Sequence, residues 1–442
     1  MKTRRTNPIR FLSHLRISTA LPFVAGSVVC AFFALPLSST GSATSGSQWG
    51  QVLTTTVGGA EVLNTTVTVP HWFGSTLDPH NGVTYGYNIV GGDPNNCSGA
   101  GCDVTVTVDI IPLNVIVDGQ SLNGMDVVAA TLASPIFALN DYGSTPFATA
   151  LGAFPNDPFL IQGPGGVLSQ NDAGNQLQLQ DAIQRAEFNK TGSTSSYHLR
   201  LNPVVHDPVT IVLPSGRGFV ILSPNGVEAA VIDSQWWSAQ INTLTGNLPY
   251  IDPTHPALYL TKDVLLSPPH GVCCITGYHG AANSRNGNGN QPVQTFAWAS
   301  YILPGGGDRP NGGTDWALQD ITVVTHEISE WTNDPFSSNY VEPTLSVIGG
   351  CNPFLETGDP VDTMGFAMGT NIYFQGPNPD GTQSADGYYH PQNEVLFPWF
   401  LRLAPNNISE PTQSPSTNIG RYTFIGDLNQ LSDFQQPATD SN

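Results

Sequence analysis

Thr325-His326-Glu327-Ile328-Ser329-Glu330-Trp331-Thr332-Asn333-Asp334 is the stretch on which the reading of this chain turns. On a helix, His326 and Glu330 are four residues apart, so their side chains leave one face a turn from each other and can close on one ion. Glu327 follows one residue round, where a general base for a metal-bound water is wanted. Only nine glutamates occur in 442 residues, so two of them in this register with a histidine are an uncommon coincidence. An inert helix with a solvated charged face is the competing reading.

Upstream, Pro304 to Gly313 is a glycine-proline loop, and Thr314 can cap a helix whose first turn holds Asp315. Trp316, Val323, Val324, Ile328 and Trp331 supply an apolar side, and Pro335 ends the run, which predicts a helix of about 18 residues. The motif then lies in the last turns of that helix.

A hydrolytic metal site typically takes three protein ligands and leaves a position open for water. His326 and Glu330 supply two, and the third is expected from Cys351-Asn-Pro-Phe-Leu-Glu356-Thr-Gly-Asp359-Pro-Val-Asp362. Glu356 ranks first there because a loop can leave the helix and turn back over that distance, and the Gly358-Asp359 turn presents carboxylates. Asp359 ranks second, although turn chemistry alone also explains Gly358-Asp359-Pro360. Asp334, a further turn down the helix, is a third candidate ligand, or a second-sphere group orienting His326, or a helix-end contact. A carboxylate in place of a second histidine makes the site harder. Zinc is the first choice of ion, with manganese, iron or calcium open.

The remaining histidines weigh less. His279, in Gly-Tyr278-His279, lies where a strand can approach the site, so Tyr278 or His279 is a candidate transition-state donor against a bland packing role. His390 after Tyr388-Tyr389 reads similarly. His71, His80, His198, His206, His255 and His270 sit in proline- or turn-rich contexts and read as structural. Acids near Asp359 and Asp362, or Asp380 and Asp386, could hold calcium, but no spacing matches an EF-hand loop, and no nucleophile elbow, phosphate loop or dinucleotide fingerprint occurs.

Charged residues make up 11% of the chain, beside 46 Gly and 36 Pro, a composition that suits a loop-rich, strand-containing extracellular protein. Met1 to Arg16 carries Lys2, Arg4, Arg5, Arg10 and Arg16 and no acid. An apolar stretch from Ile17 to Leu37 and small residues to Ala43 follow, in the order of a secretory signal. An uncleaved membrane anchor is the alternative. Removing residues 1–43 leaves nine basic residues against 34 acidic ones, a net charge of about −25. Nucleic acid and anionic membranes are excluded as partners by such a field, unless an uncleaved leader holds the chain to a membrane. Beyond the leader lie Cys97, Cys102, Cys273, Cys274 and Cys351. Their spacing fits no structural zinc pattern; Cys97 and Cys102 can close a short loop, and Cys351 can pair with Cys273 or Cys274.

Strands are expected over Thr54–Val69 and Cys102–Val117, the latter with valines alternating against polar residues through Val104-Thr105-Val106-Thr107-Val108. Helices are expected over Gly124–Ala133, Asn175–Phe188 and Ser234–Leu244. Further strands fall at Val209–Leu213, Gly218–Leu222, Val227–Ile232, Ala257–Leu260 and Thr295–Ile302. Tyr142–Gly174 reads as a long irregular region. The division is a leader (1–43), a β-rich N-terminal region (44–205), a metal-binding domain (206–405) and a polar tail (406–442), in which Tyr422–Ile425 could return as a strand.

The motif helix resembles the active-site helix of zincin metallopeptidases, where the residues matching His326 and Glu327 are a ligand and the general base; Glu330 stands where that family has a histidine. Gln294 to Asp362 also resembles secreted phosphate-induced, EXORDIUM-like proteins and related bacterial exported proteins. Those share the His-Glu-x-x-Glu helix followed by Asn333-Asp334-Pro335, and an acidic element like Glu356-Thr-Gly-Asp359 near a cysteine, here Cys351, which precedes the acids rather than following them. The resemblance covers under a fifth of the chain. It implies an α+β fold with a zincin-like C-terminal domain. The function expected is secreted, metal-dependent hydrolysis of polypeptide, with Glu327 as base and His326, Glu330 and Glu356 as ligands. The alternative is a non-catalytic binding protein for an extracellular ligand, with a structural or vestigial metal site; hydrolysis of a glycan ranks third.

Overall fold

The N-terminal portion contributes the hairpin β1 (His71–Leu77) and β2 (Thr84–Val90), the long strand β3 (Asp103–Val117), its return β4 (Gln120–Asn123), α1 (Met125–Ala133), α2 (Leu179–Glu187) and β5 (His198–Val205). The chain continues with β6 (Val209–Val212), β7 (Gly218–Leu222), β8 (Glu228–Asp233), α3 (Ser234–Asn247), β9 (Ala257–Lys262), β10 (Val264–Ser267), β11 (Gly277–Asn283) and β12 (Val293–Tyr301). Last come α4 (Thr322–Asn333), β13 (Tyr340–Leu345), β14 (Cys351–Phe354) and the short α5 (Phe397–Phe400). This computed structural model describes residues 56–57, 60–61, 67–97, 102–141, 176–190, 195–223, 226–269, 274–283, 292–306, 319–345, 351–361, 365–366, 368–373, 376–377, 384–385, 387–403 and 422–424. The leader, the region 142–174, the Thr314 cap with Asp315 and Trp316, Asp362, Asp380, Asp386, His270 and most of the tail lie outside them.

The fold is α+β and rich in strands. Its centre is a seven-stranded sheet in which β6, β3, β9, β12 and β11 follow in order, with β5 and β4 also paired to β3. β5, β6 and β9 run parallel to β3, and β12 runs parallel to β9. β11 runs antiparallel to β12 at the edge. The sheet therefore crosses residue 206, taking β3 to β5 from before it and the rest from after it.

Both faces of this sheet are covered, so its inner strands read as nearly continuous apolar runs. Every residue of β12 is buried. Phe296 and Trp298 face one side, with Tyr259 of β9 and Trp237 and Ile241 of α3. Ala297, Ala299 and Tyr301 face the other, with Val323, Val324, Ile328 and Trp331 of α4. Small alanines on the α4 side let the helix lie close. A three-stranded sheet, β7–β8–β10, flanks α3. The β1–β2 hairpin, which the sequence reading did not anticipate, builds a separate cluster of Trp72, Tyr85, Tyr87 and Ile89 with Val395, Phe397, Trp399 and Phe400.

Helix α2 is buried throughout and runs beside α4. Asn333 donates to Glu187 Oε1 (2.8 Å), and Gln184 donates to Asn333 Oδ1 (3.0 Å). Cys97 and Cys102 form a disulfide, and Cys274 is also disulfide-bonded. Thr423 bridges Val395, so the expected return of the tail is one β-bridge, not a strand. Among the described residues no helix is long and apolar enough to cross a membrane.

Candidate metal centre

Helix α4 starts at Thr322, later than the apolar pattern predicts. Asp320 has φ 42° and forms an isolated bridge with Ile302, so the chain arrives as a short β-contact and turns sharply before the helix begins. His390 holds that turn: its backbone N–H donates to Asp320 Oδ1 (2.9 Å), and its Nδ1 lies 2.6 Å from Oδ2. Its carbonyl accepts from Thr322 Oγ1 (2.7 Å). His390 thus seats the start of the helix.

On α4, His326 Nε2 lies 3.1 Å from Glu330 Oε2 and 3.9 Å from Glu327 Oε1. One ligand atom from each of the three residues falls within 4.8 Å of the others, close enough to hold one ion. Glu327 and Glu330 are buried, and the His326 side chain keeps 14% of its exposure. Glu330 Oε1 accepts from the backbone N–H groups of Gly358 and Asp359, both at 3.2 Å. Those donors open a short 3-10 turn (Asp359–Val361) laid against the helix. Ser329 and Thr357 pair through their hydroxyls (3.2 Å), and Gln392 bonds both Thr325 Oγ1 and the Gly358 carbonyl. Glycine is required at 358, because a Cβ there would lie 2.9 Å from His326 Cγ and overlap Nδ1.

The expected third ligands fall apart in space. Asp359 comes nearer the His326 ring: its Oδ1 lies 3.9 Å from Nε2, while Asn352 holds Oδ2 at 3.0 Å. Glu356, ranked first, instead faces His279, with Oε2 3.7 Å from Nε2. Asp334 Oδ1 accepts from the N–H groups of Ser338 and Asn339 and closes the end of α4. The Asp334 carbonyl accepts from His279 Nε2 (3.1 Å), so it orients His279 and not His326.

His279 sits on β11 opposite Ala297, on the same face as Gly277 and Ala281, which is the face that α4 covers. Its Nδ1 lies 3.6 Å from Glu330 Oε2 and 3.8 Å from Glu327 Oε2. Together with Glu330 and Glu356 it makes a second trio within 4.8 Å. Sequence reasoning gave His279 only a donor role. The signal available was the alternation Gly277-Tyr278-His279-Gly280, which puts a polar ring and a glycine on one face of an apolar sheet. Tyr278 points the other way, against Phe296 and Trp298, and takes no part.

Burial acts to lower both imidazoles, but the carboxylates outweigh it. Glu356, Glu327 and Glu330 hold His279 well above its ordinary pKa, and Glu330, Glu327 and Asp359 do the same for His326. Burial also acts to raise Glu330, yet the two imidazoles hold it below the usual carboxylate range. Glu327 and Glu356 stay above that range, and burial pushes Asp334 up to about 6.

These residues fit a cation. Glu327 Oε2 is buried without a hydrogen-bond partner, as are Asp334 Oδ2 and Glu356 Oε2. A buried carboxylate oxygen left so is costly unless a positive charge meets it. Gly277 is a second cradle: a Cβ there would lie 2.6 Å from Glu327 Cγ and 2.7 Å from Val323 Cγ1. No protein-family model, curated protein or solved structure matches this chain.

Proposed function

We propose that this chain is a secreted, metal-dependent hydrolase acting on peptide bonds, built on a zincin-like arrangement of α4 beneath the sheet. The observation that carries the reading is Glu327: a buried carboxylate, one residue along the helix from His326, whose Oε2 has no hydrogen-bond partner. His326 Nε2 and Glu330 Oε2 would hold the ion, with Asp359 Oδ1 the nearest further carboxylate on that side. The ion is zinc by first preference, with manganese or iron the next choices for so carboxylate-rich a site.

When bound, a divalent ion supplies Lewis acidity toward water and a carbonyl. Glu327 takes the proton from the attacking water at its carboxylate and returns it to the leaving amine. Gly358 and Asp359 fix Glu330 through Oε1 and leave Oε2 facing His326 Nε2, where the two would hold an ion. β11 has a ladder partner on one side only among the described residues, and an extended polypeptide can add to such an edge.

The chain's export follows from its basic-apolar-small leader, and its strongly acidic mature charge leaves nucleic acid an unsuitable partner. The test is to purify the chain, measure its metal content and assay unfolded protein substrates from acidic to neutral pH with zinc and manganese in turn. Metal-dependent cleavage that disappears with a chelator is expected. A second reading is a non-catalytic binding protein with a structural ion. The burial of Glu327 and Glu330 favours it, because a clamp needs no access for substrate. A metal-loaded protein that cleaves nothing would establish that reading.

A further inference from the structure

Glu330 belongs to two trios at once, His326–Glu327–Glu330 and His279–Glu330–Glu356. Its Oε1 is fixed by two backbone N–H groups, while Oε2 faces His326 Nε2 at 3.1 Å and His279 Nδ1 at 3.6 Å. Oε2 is therefore shared between the two imidazoles, and Glu330 is the residue common to both groups. His279 is anchored as metal-binding histidines are: Nε2 bonds a backbone carbonyl, here that of Asp334, with Glu356 Oε2 3.7 Å from the same nitrogen, and Nδ1 turns toward Glu330 and Glu327. Glu327 spans the pair, with Oε1 on the His326 side and the partnerless Oε2 3.8 Å from His279 Nδ1.

Charge points the same way. Glu327, Glu330, Asp334 and Glu356 gather four carboxylates in the interior. Among the described residues no lysine or arginine nitrogen lies within 4.0 Å of any of them.

We propose that the centre holds two divalent cations sharing Glu330, the first with His326 and the second with His279 and Glu356. Two-metal hydrolytic sites place their ions about 3.5–4 Å apart, a separation one carboxylate oxygen or group can bridge. This rests on the metal-dependent reading of the site but assigns it a nuclearity and two ligands, His279 and Glu356, that a single ion at His326 does not require. Carboxylate-rich surroundings with one imidazole per ion suit zinc or manganese.

The whole purified chain, stripped with chelator and dialysed against Zn²⁺ or Mn²⁺, should carry two ions per chain by elemental analysis. His279→Ala and Glu356→Gln should each reduce this to one, with His326→Ala losing the other ion. The Mn²⁺-loaded protein should give the electron paramagnetic resonance signal of a coupled pair, which the His279→Ala protein replaces with that of an isolated ion. Calorimetric titration of the unmodified chain gives the stoichiometry even if a variant fails to fold. One ion per chain overturns the two-ion centre and leaves the hydrolase reading standing. Two ions that persist undiminished in folded His279→Ala also overturn it, and no bound metal at all sinks both.

Discussion

Gly277 of β11 lies directly over Glu327 of α4, so close that any side chain at 277 would occupy the space of the Glu327 carboxylate. The edge strand therefore sets where the candidate base can stand. Gly277→Ala puts a methyl against the buried side chains of Glu327 and Val323. We expect a loss of about 1–3 kcal/mol, the usual range for overpacking, together with weaker metal retention. Gly280→Ala, on the same strand, meets nothing closer than Phe296 Cζ at 3.3 Å, then Phe296 Cε1 at 3.6 Å and Ser337 Oγ at 3.9 Å, and is the matched control. Equal melting curves for the two variants would remove the positioning role of the glycine.

Base and ligand separate by mutation. Glu327→Gln keeps volume and a carbonyl oxygen, so metal content and unfolding temperature should stay near the unmodified values while hydrolysis falls by about 10²–10⁴. His326→Ala should lose activity and metal together. Full activity in Glu327→Gln would exclude Glu327 as the base.

Much of the centre was legible because it is local. The i, i+4 spacing of His326 and Glu330 is a property of one helix, and the helix forms over those residues. The alternation in Val104 to Val108 marked a strand for the same reason. Two features were not legible because they depend on distant partners. His279 was expected on a strand near the site, but its place beside Glu330 and Glu356 comes from the pairing of β11 with β12, which no spacing in the sequence encodes. Glu356 and Asp359 exchange their expected places, because the Gly358 and Asp359 N–H groups dock on Glu330 and turn Glu356 toward β11. The helix start depended likewise on the tertiary bridge between Ile302 and Asp320, not on apolar periodicity.

The pair of Asp320 and His390 should matter to stability more than to chemistry. Both are buried, and Asp320 satisfies a backbone N–H and a ring nitrogen of His390 while its own backbone adopts a left-handed turn. Asp320→Ala removes the acceptor of both groups and should cost about 1–3 kcal/mol, the scale for removing a buried hydrogen-bond partner. Asp320→Asn keeps an acceptor and tolerates the positive φ, so it should cost less. Chemical denaturation of both variants gives the comparison; equal losses would show that the carboxylate charge, which both variants remove, is what counts, and not the backbone turn that Asn tolerates.

Acidity should stabilise the metal-free protein. Burial between α2 and α4 pushes the Glu187 carboxyl up to about 8, although Asn333 donates to it, and burial pushes Asp263 up to about 7 despite its bond from Leu303 N–H. Unfolded, the two titrate at about 4.3 and 3.9. Between those values and the folded ones, the native chain keeps protons that the unfolded chain has released. The stabilisation is thus fully present below about pH 4 and is lost as pH rises through about 7 and then about 8, at about 1.4 kcal/mol per pH unit for each proton. In chelator, so that metal release does not contribute, the unfolding midpoint should fall steadily from pH 5 to pH 8. Glu187→Gln, which keeps an oxygen for Asn333 but cannot ionise, should flatten the upper part of that fall and exceed the unmodified protein at pH 8. A midpoint that rises with pH, or a Glu187→Gln profile parallel to the original, would show that Glu187 is not protonated in the native interior.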